Sequence, residues 1–222
     1  MNTIKKIFLL LVTLSLPVLL IASSIRFVLT PLYVNLEYRM PGFPEDPYGF
    51  TTYDRLEWSQ YTLDYLLGRI PHSDVVAQKL PDKSSLYNER ETSHLYDVML
   101  LSQLVIKIWF AILAFFLLTL LISFLMHWMP QWLFSVKQGA FFTIALIGAV
   151  LIYVWVDFNR LFTQFHQVFF EGDTWLFYPS DNLIRLFPLR FWMDLFIFIG
   201  GLTLTMAVLL IILTRRVTMK IK

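Results

Sequence analysis

The residues best suited to chemistry stand where a polar stretch of the chain runs into a long apolar one. Glu91, His94 and Asp97 follow at intervals of three residues, and no glycine or proline separates them from the apolar run 98–128. On one continuous helix, side chains three residues apart lie close together. The spacing therefore predicts two carboxylates and an imidazole at a membrane boundary. Placing titratable groups there costs free energy unless they are paired, so such a cluster is a hypothesis for a functional site. The alternative is that all three are ordinary solvated residues at the start of a helix.

A second histidine is expected at the same membrane depth. His166 lies in an aromatic segment, residues 158–169, that follows the third apolar run. Because an unperturbed imidazole titrates near 6.5, His94 and His166 could take up and return protons at neutral pH. His72 stands in a polar loop and His127 at the inner edge of a span, so both are weaker candidates for a catalytic role. For a joint role, the rings of His94 and His166 must lie within about 10 Å of each other.

Other chemistries have weaker support. Zinc, the next interpretation, would take His94, His166 and one or both of Glu91 and Asp97, but the sequence has no His-Glu-x-x-His pair. The absence of cysteine excludes disulfides and thiol nucleophiles, and no Gly-x-Ser-x-Gly motif marks a serine hydrolase. No Gly-rich phosphate loop occurs, and nothing indicates a nucleic-acid partner. We therefore expect neither a metal nor a cofactor.

Apolar runs identify the elements that must position these residues. Of the 222 residues, 57% are hydrophobic and 17% are aromatic. Four runs are long enough to cross a bilayer, which takes roughly 20 residues of helix. The predicted spans cover residues 7–29, 98–128, 140–158 and 191–213. We expect a single all-α integral membrane domain, residues 1–222, whose first span is a retained anchor rather than a cleaved signal peptide.

The distribution of charge predicts the orientation of these spans. Both chain ends and the loop between the second and third runs carry bases and no acid: Lys5, Lys6, Lys137, Arg215, Arg216, Lys220 and Lys222. Because such basic residues stay on the cytoplasmic side, both termini are expected in the cytoplasm of a multi-pass protein of the cell membrane. Residues 30–97 would then form a small extracellular cap and residues 159–190 an extracellular loop. An active site at His94 and His166 would face outward.

Local patterns predict shorter elements in these outer segments. A linker rich in proline and glycine follows the first span, with a short strand near residues 33–38. Asp54 and Glu57 match a capping box at the start of a helix that ends near residue 67. A short helical turn is expected over residues 181–188.

After the third span, large apolar side chains recur at helical spacing. They are Phe158, Leu161, Phe162, Phe165 and Phe169. This pattern predicts an amphipathic helix that lies along the outer leaflet.

An ordered set of short motifs extends over almost the whole chain. The set consists of Tyr48-Gly-Phe, Asp54-Arg55, Asn88-Glu-Arg-Glu91-x-x-His94-x-x-Asp97, Phe165-His166, Trp175 and Asp181-x-Leu-Ile-x-Leu-Phe-Pro188. In motif order, number of spans and loop sizes the sequence resembles the bacterial lipoprotein intramolecular transacylases, a family of four-span membrane proteins of Gram-positive bacteria.

The resemblance implies a membrane acyltransferase that acts on a diacylated lipoprotein. The enzyme would move the sn-2 acyl chain of the diacylglyceryl cysteine onto the α-amine of the same cysteine, giving a lyso-form lipoprotein. His94 and His166 would be the catalytic pair, and Asp97, or Glu91, would orient His94. The substrate-binding residues would be Glu91, Tyr48, Arg55, Phe162, Phe165, Phe169 and Asp181. The expected partners are this substrate and membrane lipid, and we expect a monomer.

Two other classes of function stay open at this point. Aromatic outer loops suit a non-enzymatic accessory protein that binds a partner equally well. A metal-dependent membrane hydrolase would be inhibited by a chelator and would lose an acyl chain to water. Purified protein mixed with one diacylated lipopeptide distinguishes the classes, because only a transacylase would acylate the amine of the peptide.

Overall fold

The described part of the chain is built from α-helices. The computed structural model describes residues 3–221. Its helices are α1 (Thr3–Val28), α2 (Pro31–Glu37), α3 (Thr52–Leu66), α4 (His72–Ala77), α5 (Glu89–Leu125), α6 (Met129–Phe169), α7 (Asn182–Leu186) and α8 (Leu189–Ile221). Within residues 3–221 no β-strand forms, and the nearest feature is an isolated antiparallel bridge between Lys79 and Ser85.

Helices α1, α5, α6 and α8 are long and apolar enough to cross a membrane. The prediction of four apolar spanning helices is therefore confirmed in length and composition. Helix α5 continues without interruption from Glu89 to Leu125, so the polar turns that carry His94 and the apolar run share one helix axis, as the sequence predicts. The turn that follows α5 contains His127 in a left-handed conformation, with φ of 58°.

Helix α6 is interrupted near its carboxyl end. Asp157 has φ of −158° and ψ of 84°, a conformation outside the helical region. Its Oδ1 accepts a hydrogen bond from the backbone N–H of Arg160 at 3.0 Å, as the N-cap residue of a new helix does. Residues 158–169 therefore form a separate helical segment, as the spacing of the aromatic residues predicts, and this segment carries His166.

The chain divides into two compact units. The first comprises Met1–Arg26, Ile106–Tyr153 and Ile197–Lys222. Its core is formed by Val12, Leu16, Leu20, Phe116, Val136, Ala140 and Ala207. Helices α1 and α6 approach closely here, since a Cβ added at Gly139 would lie 2.8 Å from the carbonyl oxygen of Thr13. A hydrogen bond of 2.8 Å between the hydroxyls of Ser24 and Thr203 links α1 to α8, a polar contact typical of membrane helices.

The second unit comprises Phe27–Val105 and Val154–Phe196, and it contains both His94 and His166. Its core is formed by Tyr65, Val75, Leu86, Tyr87, Leu95, Leu183 and Leu186. Leu95 comes directly after His94, so its burial in this core fixes the rotation of the first turns of α5. The packing of α3, α5 and α7 around one core thus sets the position of the first histidine.

The strand predicted near residues 33–38 is wrong. Residues Pro31–Glu37 form α2, with Pro31 in its first turn and Tyr33, Val34 and Glu37 buried. Proline suits this position, because its fixed φ is already helical and the missing N–H would have no partner within the helix.

The capping box was predicted at the wrong residues. Thr51 is the N-cap of α3, and Asp54 is its third residue, where its carboxylate accepts the backbone N–H of Thr51. A carboxylate from aspartate closes the box here, in the place where glutamate or glutamine is more usual. The carboxyl end agrees with the prediction, since α3 ends at Leu66 and Gly68 follows with φ of 72°.

Candidate active site

The two histidines singled out by the sequence lie side by side. The rings of His94, on α5, and His166, on segment 158–169, have centroids 6.0 Å apart and planes inclined by 26°. Both side chains are buried, with exposed fractions of 5% and 7%. Two imidazoles this close disfavour simultaneous protonation, because like charges in contact repel. The pair is therefore suited to hold and pass on a single proton.

A backbone carbonyl sets the tautomer of His166. Nδ1 of His166 lies 2.7 Å from the carbonyl oxygen of Phe162, one turn earlier on the same segment. Because a carbonyl oxygen can only accept, Nδ1 must donate and carry the hydrogen. In the neutral ring, Nε2 then keeps its lone pair. His166 is thus arranged as a base whose free nitrogen is Nε2.

His94 has a nitrogen without a partner. Its Nδ1 is buried and makes no hydrogen bond within the described residues. The ring is bordered by Phe170 at 4.8 Å and Phe177 at 5.4 Å between centroids. Leaving a buried polar atom unpaired costs on the order of 1–3 kcal/mol. A ligand that supplies a hydrogen-bonding group to this nitrogen would recover that energy.

The predicted phenylalanines line one side of the pair. The ring of Phe162 is 4.1 Å from His166, and that of Phe165 is 5.5 Å away. Phe169 packs against Phe165 at 4.8 Å and is 51% exposed. The series therefore leads from the buried imidazole to the exposed surface of segment 158–169.

Three further aromatic residues at the site were not predicted as site residues. Phe170 contacts both imidazoles, Trp175 lies 4.9 Å from His166, and Phe177 borders His94. Phe170 stands four residues after His166 and donates its backbone N–H to the carbonyl of that residue at 2.8 Å. Because Phe170 follows His166 at the helical spacing of four residues, extending the predicted segment 158–169 by one residue would have identified Phe170. Trp175 and Phe177 belong to an irregular loop without periodicity, and Trp175 appears in the motif set without a predicted role.

Glu91 acts on the backbone. Its Oε2 accepts the N–H of Asn88 at 2.7 Å, and its Oε1 accepts the N–H of Leu183 at 2.6 Å. Asn88 Oδ1 in return accepts the N–H of Glu91 at 3.0 Å, so the two residues cap the start of α5 reciprocally. The bond to Leu183 ties α7 to α5. Glu91 thus fixes the turn that immediately precedes His94.

Asp97 is half-buried and lies near Tyr65. Burial, together with the nearby Tyr96 and Asp97, raises the pKa of Tyr65 to about 12. Nδ1 of His94 makes no hydrogen bond with Asp97 or with any other residue in the described range. The orienting role of Asp97 stays a prediction.

Tyr48 and Arg55 belong to a separate cluster of cation–aromatic contacts. The guanidinium carbon of Arg55 is 4.9 Å from the ring centres of both Tyr38 and Phe43, and only 4% of the residue is exposed. This burial lowers the pKa of the Arg55 guanidinium. The ring of Tyr48 lies 5.6 Å from the guanidinium of Arg185. These contacts order the linker between α2 and α3, and the predicted contact of Tyr48 and Arg55 with substrate stays a prediction.

Asp181 joins the amino ends of α5 and α7. Its Oδ1 accepts a hydrogen bond from Nδ2 of Asn88 at 3.2 Å, and its Oδ2 accepts the N–H of Tyr178 at 2.8 Å. With Glu91 it lines a cavity of about 500 Å³. Of the predicted polar binding residues, Glu91 and Asp181 therefore share one cavity, whereas Tyr48 and Arg55 lie in the cation–aromatic cluster.

The side chains around the imidazoles do not form a metal-ligand set. Within residues 3–221, no group of three or more histidine, aspartate or glutamate side chains is arranged to hold a metal ion. The carboxylate of Glu91, three residues before His94, is bonded to backbone amides. The arrangement offers two imidazoles for acid–base chemistry.

Comparison with known proteins assigns the chain to a family. A family model described as lipoprotein intramolecular transacylase Lit matches residues 8–192, a range that includes both histidines. The chain belongs to the lipoprotein intramolecular transacylase family. It is accordingly a transacylase, an acyltransferase that modifies lipoproteins in a membrane.

A solved member of the transacylase family has the same fold. The membrane-integral lipoprotein intramolecular transacylase Lit from Bacillus cereus superimposes with a TM-score of 0.76 at 17% identity, over 99% of this chain and 98% of that one. An uncharacterised protein from Aquifex aeolicus (strain VF5) is 23% identical over 212 residues, which is 93% of each chain. The similarity thus extends over nearly the full length in both comparisons.

Proposed function

We propose that the protein moves the sn-2 acyl chain of a diacylglyceryl-modified N-terminal cysteine onto the α-amine of that cysteine, giving a lyso-form lipoprotein. The observation that carries the proposal is the buried pair His94 and His166, with rings 6.0 Å apart and one tautomer set by a carbonyl. Amine and ester belong to one molecule, so the protein has mainly to hold them together. Such placement is worth roughly 7–11 kcal/mol in well-oriented intramolecular reactions.

His166 acts as the general base in this reaction. The α-amine has a reference pKa of about 7.7–8.0, so it first releases one proton to solvent. As its nitrogen attacks the ester carbonyl carbon, a C–N bond forms and Nε2 of His166 accepts a second proton. When the bond between that carbon and the glycerol oxygen breaks, the imidazolium returns the proton to the oxygen. The reaction consumes neither water nor a co-substrate.

His94 stabilises the intermediate. Attack on the ester turns the carbonyl oxygen into an oxyanion, which needs a hydrogen-bond donor already in place. The unpartnered, buried Nδ1 of His94 is such a group when it carries its hydrogen. Binding of the oxyanion would satisfy a nitrogen that is otherwise left without a partner.

The reaction takes place at the extracellular face of the cell membrane. In this arrangement residues 7–29, 98–128, 140–158 and 191–213 span the bilayer, and both termini are cytoplasmic. The orientation is supported by bases near the chain ends, such as Lys5, Lys6, Arg215 and Arg216, where no acid occurs. The protein works as a monomer. The acyl chains enter from the outer leaflet along Phe169, Phe165 and Phe162, a series that begins at an exposed ring.

Polar groups around the pair position it and receive the substrate. Glu91 holds the first turn of α5, and Asp97 biases the orientation of His94. Tyr48, exposed, and Asp181, half-buried beside a cavity, contact the polar part of the substrate directly. Arg55 is buried, so it acts through the loop that it orders.

The test is the acylation state of a co-expressed lipoprotein in cells that lack their own transacylase. We expect His94→Ala and His166→Ala each to lower formation of the N-acylated product by about 10²–10⁴-fold, the usual contribution of a positioned general acid or base. Mass spectrometry of the N-terminal peptide measures the product directly. His127→Asn is the matched control, because asparagine tolerates the left-handed backbone at this position.

Full conversion by either alanine variant, with normal protein level in the membrane, would remove that histidine from the mechanism. A chelator should leave the activity of the purified protein unchanged. Inhibition by the chelator together with release of free fatty acid would instead favour the metal-dependent hydrolase.

A further inference from the structure

A polar cavity lies one helical turn from the histidine pair. It measures about 500 Å³, a size typical of small ligand sites. The lining residues include Asn88, Glu89, Glu91, Ser180, Asp181 and Asn182. Apart from Val76, they carry hydroxyl, carboxamide or carboxylate groups, and the charged ones are all acidic. None of these side chains takes part in the proton transfers of the proposed reaction, and Asp181 is already proposed to contact the polar part of the substrate, so the cavity is a candidate site for that part.

The distance from His94 to the cavity matches the reach of a short peptide. Glu91, on the cavity wall, stands three residues before His94 on α5, a spacing that puts Cβ atoms about 5–6 Å apart. A polypeptide advances roughly 3.3–3.6 Å for each residue when extended. A substrate whose N-terminal amine lies at the imidazoles therefore reaches the cavity with its second to fourth residues.

We infer that this cavity binds the polypeptide immediately after the modified cysteine and prefers basic or neutral residues there to acidic ones. The inference rests on the proposed function, which brings the cysteine to His94 and His166. Two parts of the substrate are then accounted for, since the acyl chains occupy the phenylalanine side and the ester meets the imidazoles. The polypeptide is the part that must leave toward water, past the polar first turns of α5.

The chemistry of the lining suits a peptide in particular. The exposed hydroxyl of Ser180 can pair with the N–H or C=O groups of an extended backbone, whereas the carboxamide of Asn182 is already bonded to the carbonyl of Leu86 and to Arg185. Glu89 is exposed in the lining, and Asp181 lines the same cavity from the segment before α7. The acidic side of the cavity, formed by Glu89 and Asp181, repels acidic side chains.

The experiment compares three synthetic substrates in neutral detergent. One is diacylglyceryl cysteine amide, which has no peptide, and the others carry Lys-Ser-Lys or Glu-Ser-Glu after the cysteine. At low salt we expect kcat/KM for the basic peptide to exceed that for the acidic one by about three- to tenfold, because two exposed charge contacts are each worth a small factor. The ratio should approach one at high salt, as expected for screened charges.

Two variants at exposed positions assign this preference to the cavity. Glu89→Lys should bring the ratio to one or below, while turnover of the cysteine amide stays at the wild-type level. Ser180→Trp fills the cavity, so it should raise KM for both peptides and leave the cysteine amide unaffected. Glu57→Lys is the matched control, since it makes the same charge change at an exposed position of α3 away from the cavity lining.

A wild-type ratio of one at low salt, or a ratio that Glu89→Lys leaves unchanged, would overturn the assignment of this cavity. Equal loss of turnover on all three substrates in Ser180→Trp would do the same. In each case acyl transfer to the cysteine amide would show that the proposed function stands without the peptide site. If wild-type protein acylates none of the three amines, the proposed function fails and the peptide site with it.

Discussion

Replacing Glu91 by glutamine separates the positioning of His94 from its chemistry. The carboxylate is 2% exposed and accepts two short backbone hydrogen bonds, from Asn88 and from Leu183. Glutamine has almost the same shape, but only one of its two terminal atoms can accept. In Glu91→Gln one of these N–H groups therefore faces another donor.

The size of the effect follows from that lost acceptor. A buried donor left unpaired costs on the order of 1–3 kcal/mol, and bonds to a charged acceptor lie at the upper end of this range. For a chain of about this length, 2 kcal/mol lowers the thermal midpoint by roughly 4–8 °C. The amino end of α7 is also released from α5, so the turn before His94 loses a support. Since a misplacement of about 1 Å can reduce a rate 10²-fold, we expect kcat to fall by at least tenfold.

The assay measures thermal unfolding and acyl transfer on one detergent-purified sample. Glu57→Gln is the matched control, because Glu57 is exposed on α3 away from the cavity and its neutralisation should change stability by less than about 0.5 kcal/mol. A wild-type melting midpoint in Glu91→Gln would refute the structural role of the two hydrogen bonds. A lowered midpoint with unchanged kcat would show that this turn does not position His94.

Three further substitutions test other parts of the structure. Burial, and then the negative charge of Asp194, raise the pKa of Glu37 from 4.5 to about 7, so the contribution of Glu37 to the free energy of unfolding is fully present below about pH 4.5 and is lost as the pH rises through about 7. Glu37→Gln should remove this part of the pH dependence when thermal midpoints are measured from pH 5 to 8. Arg55→Lys replaces a planar cation that stacks on aromatic rings, so it should lower the free energy of unfolding by about 1–3 kcal/mol and leave KM unchanged. A raised KM with an unchanged free energy of unfolding would instead make Arg55 a substrate contact. Asp97→Asn should lower kcat about tenfold because His94 loses the carboxylate that orients it, and an unchanged kcat would remove Asp97 from the orientation of His94.

The long elements of the fold could be predicted because lipid imposes simple rules. Each spanning helix contains a long apolar run that can be recognised in the sequence. Helix α5 is continuous, because glycine and proline are absent between Asn88 and Leu125. The short elements depend on local contacts that the sequence expresses weakly. Residues 33–38 were predicted as a strand because the linker shows no helical periodicity, but a proline in the first turn and the burial of Tyr33 favour a helix.

The histidine pair could be predicted, whereas its immediate surroundings could not. Topology and the motif set pointed to His94 and His166. The tautomer of His166 depends on one carbonyl distance, and the bond from Leu183 to Glu91 joins residues far apart in the chain. Such contacts follow from tertiary packing, which no periodic pattern in a single sequence encodes.

The central claim is tested most directly by the mass and fragmentation of one lipopeptide. Intramolecular transfer only rearranges the substrate, so incubation of a pure diacylated lipopeptide with purified wild-type protein should leave its total mass unchanged. Tandem fragmentation should then locate one acyl chain on the α-amine, and His94→Ala and His166→Ala should each form that species at least about 10²-fold more slowly. A product lighter by one acyl chain, or N-acylated peptide formed at the wild-type rate by either variant, would contradict the account.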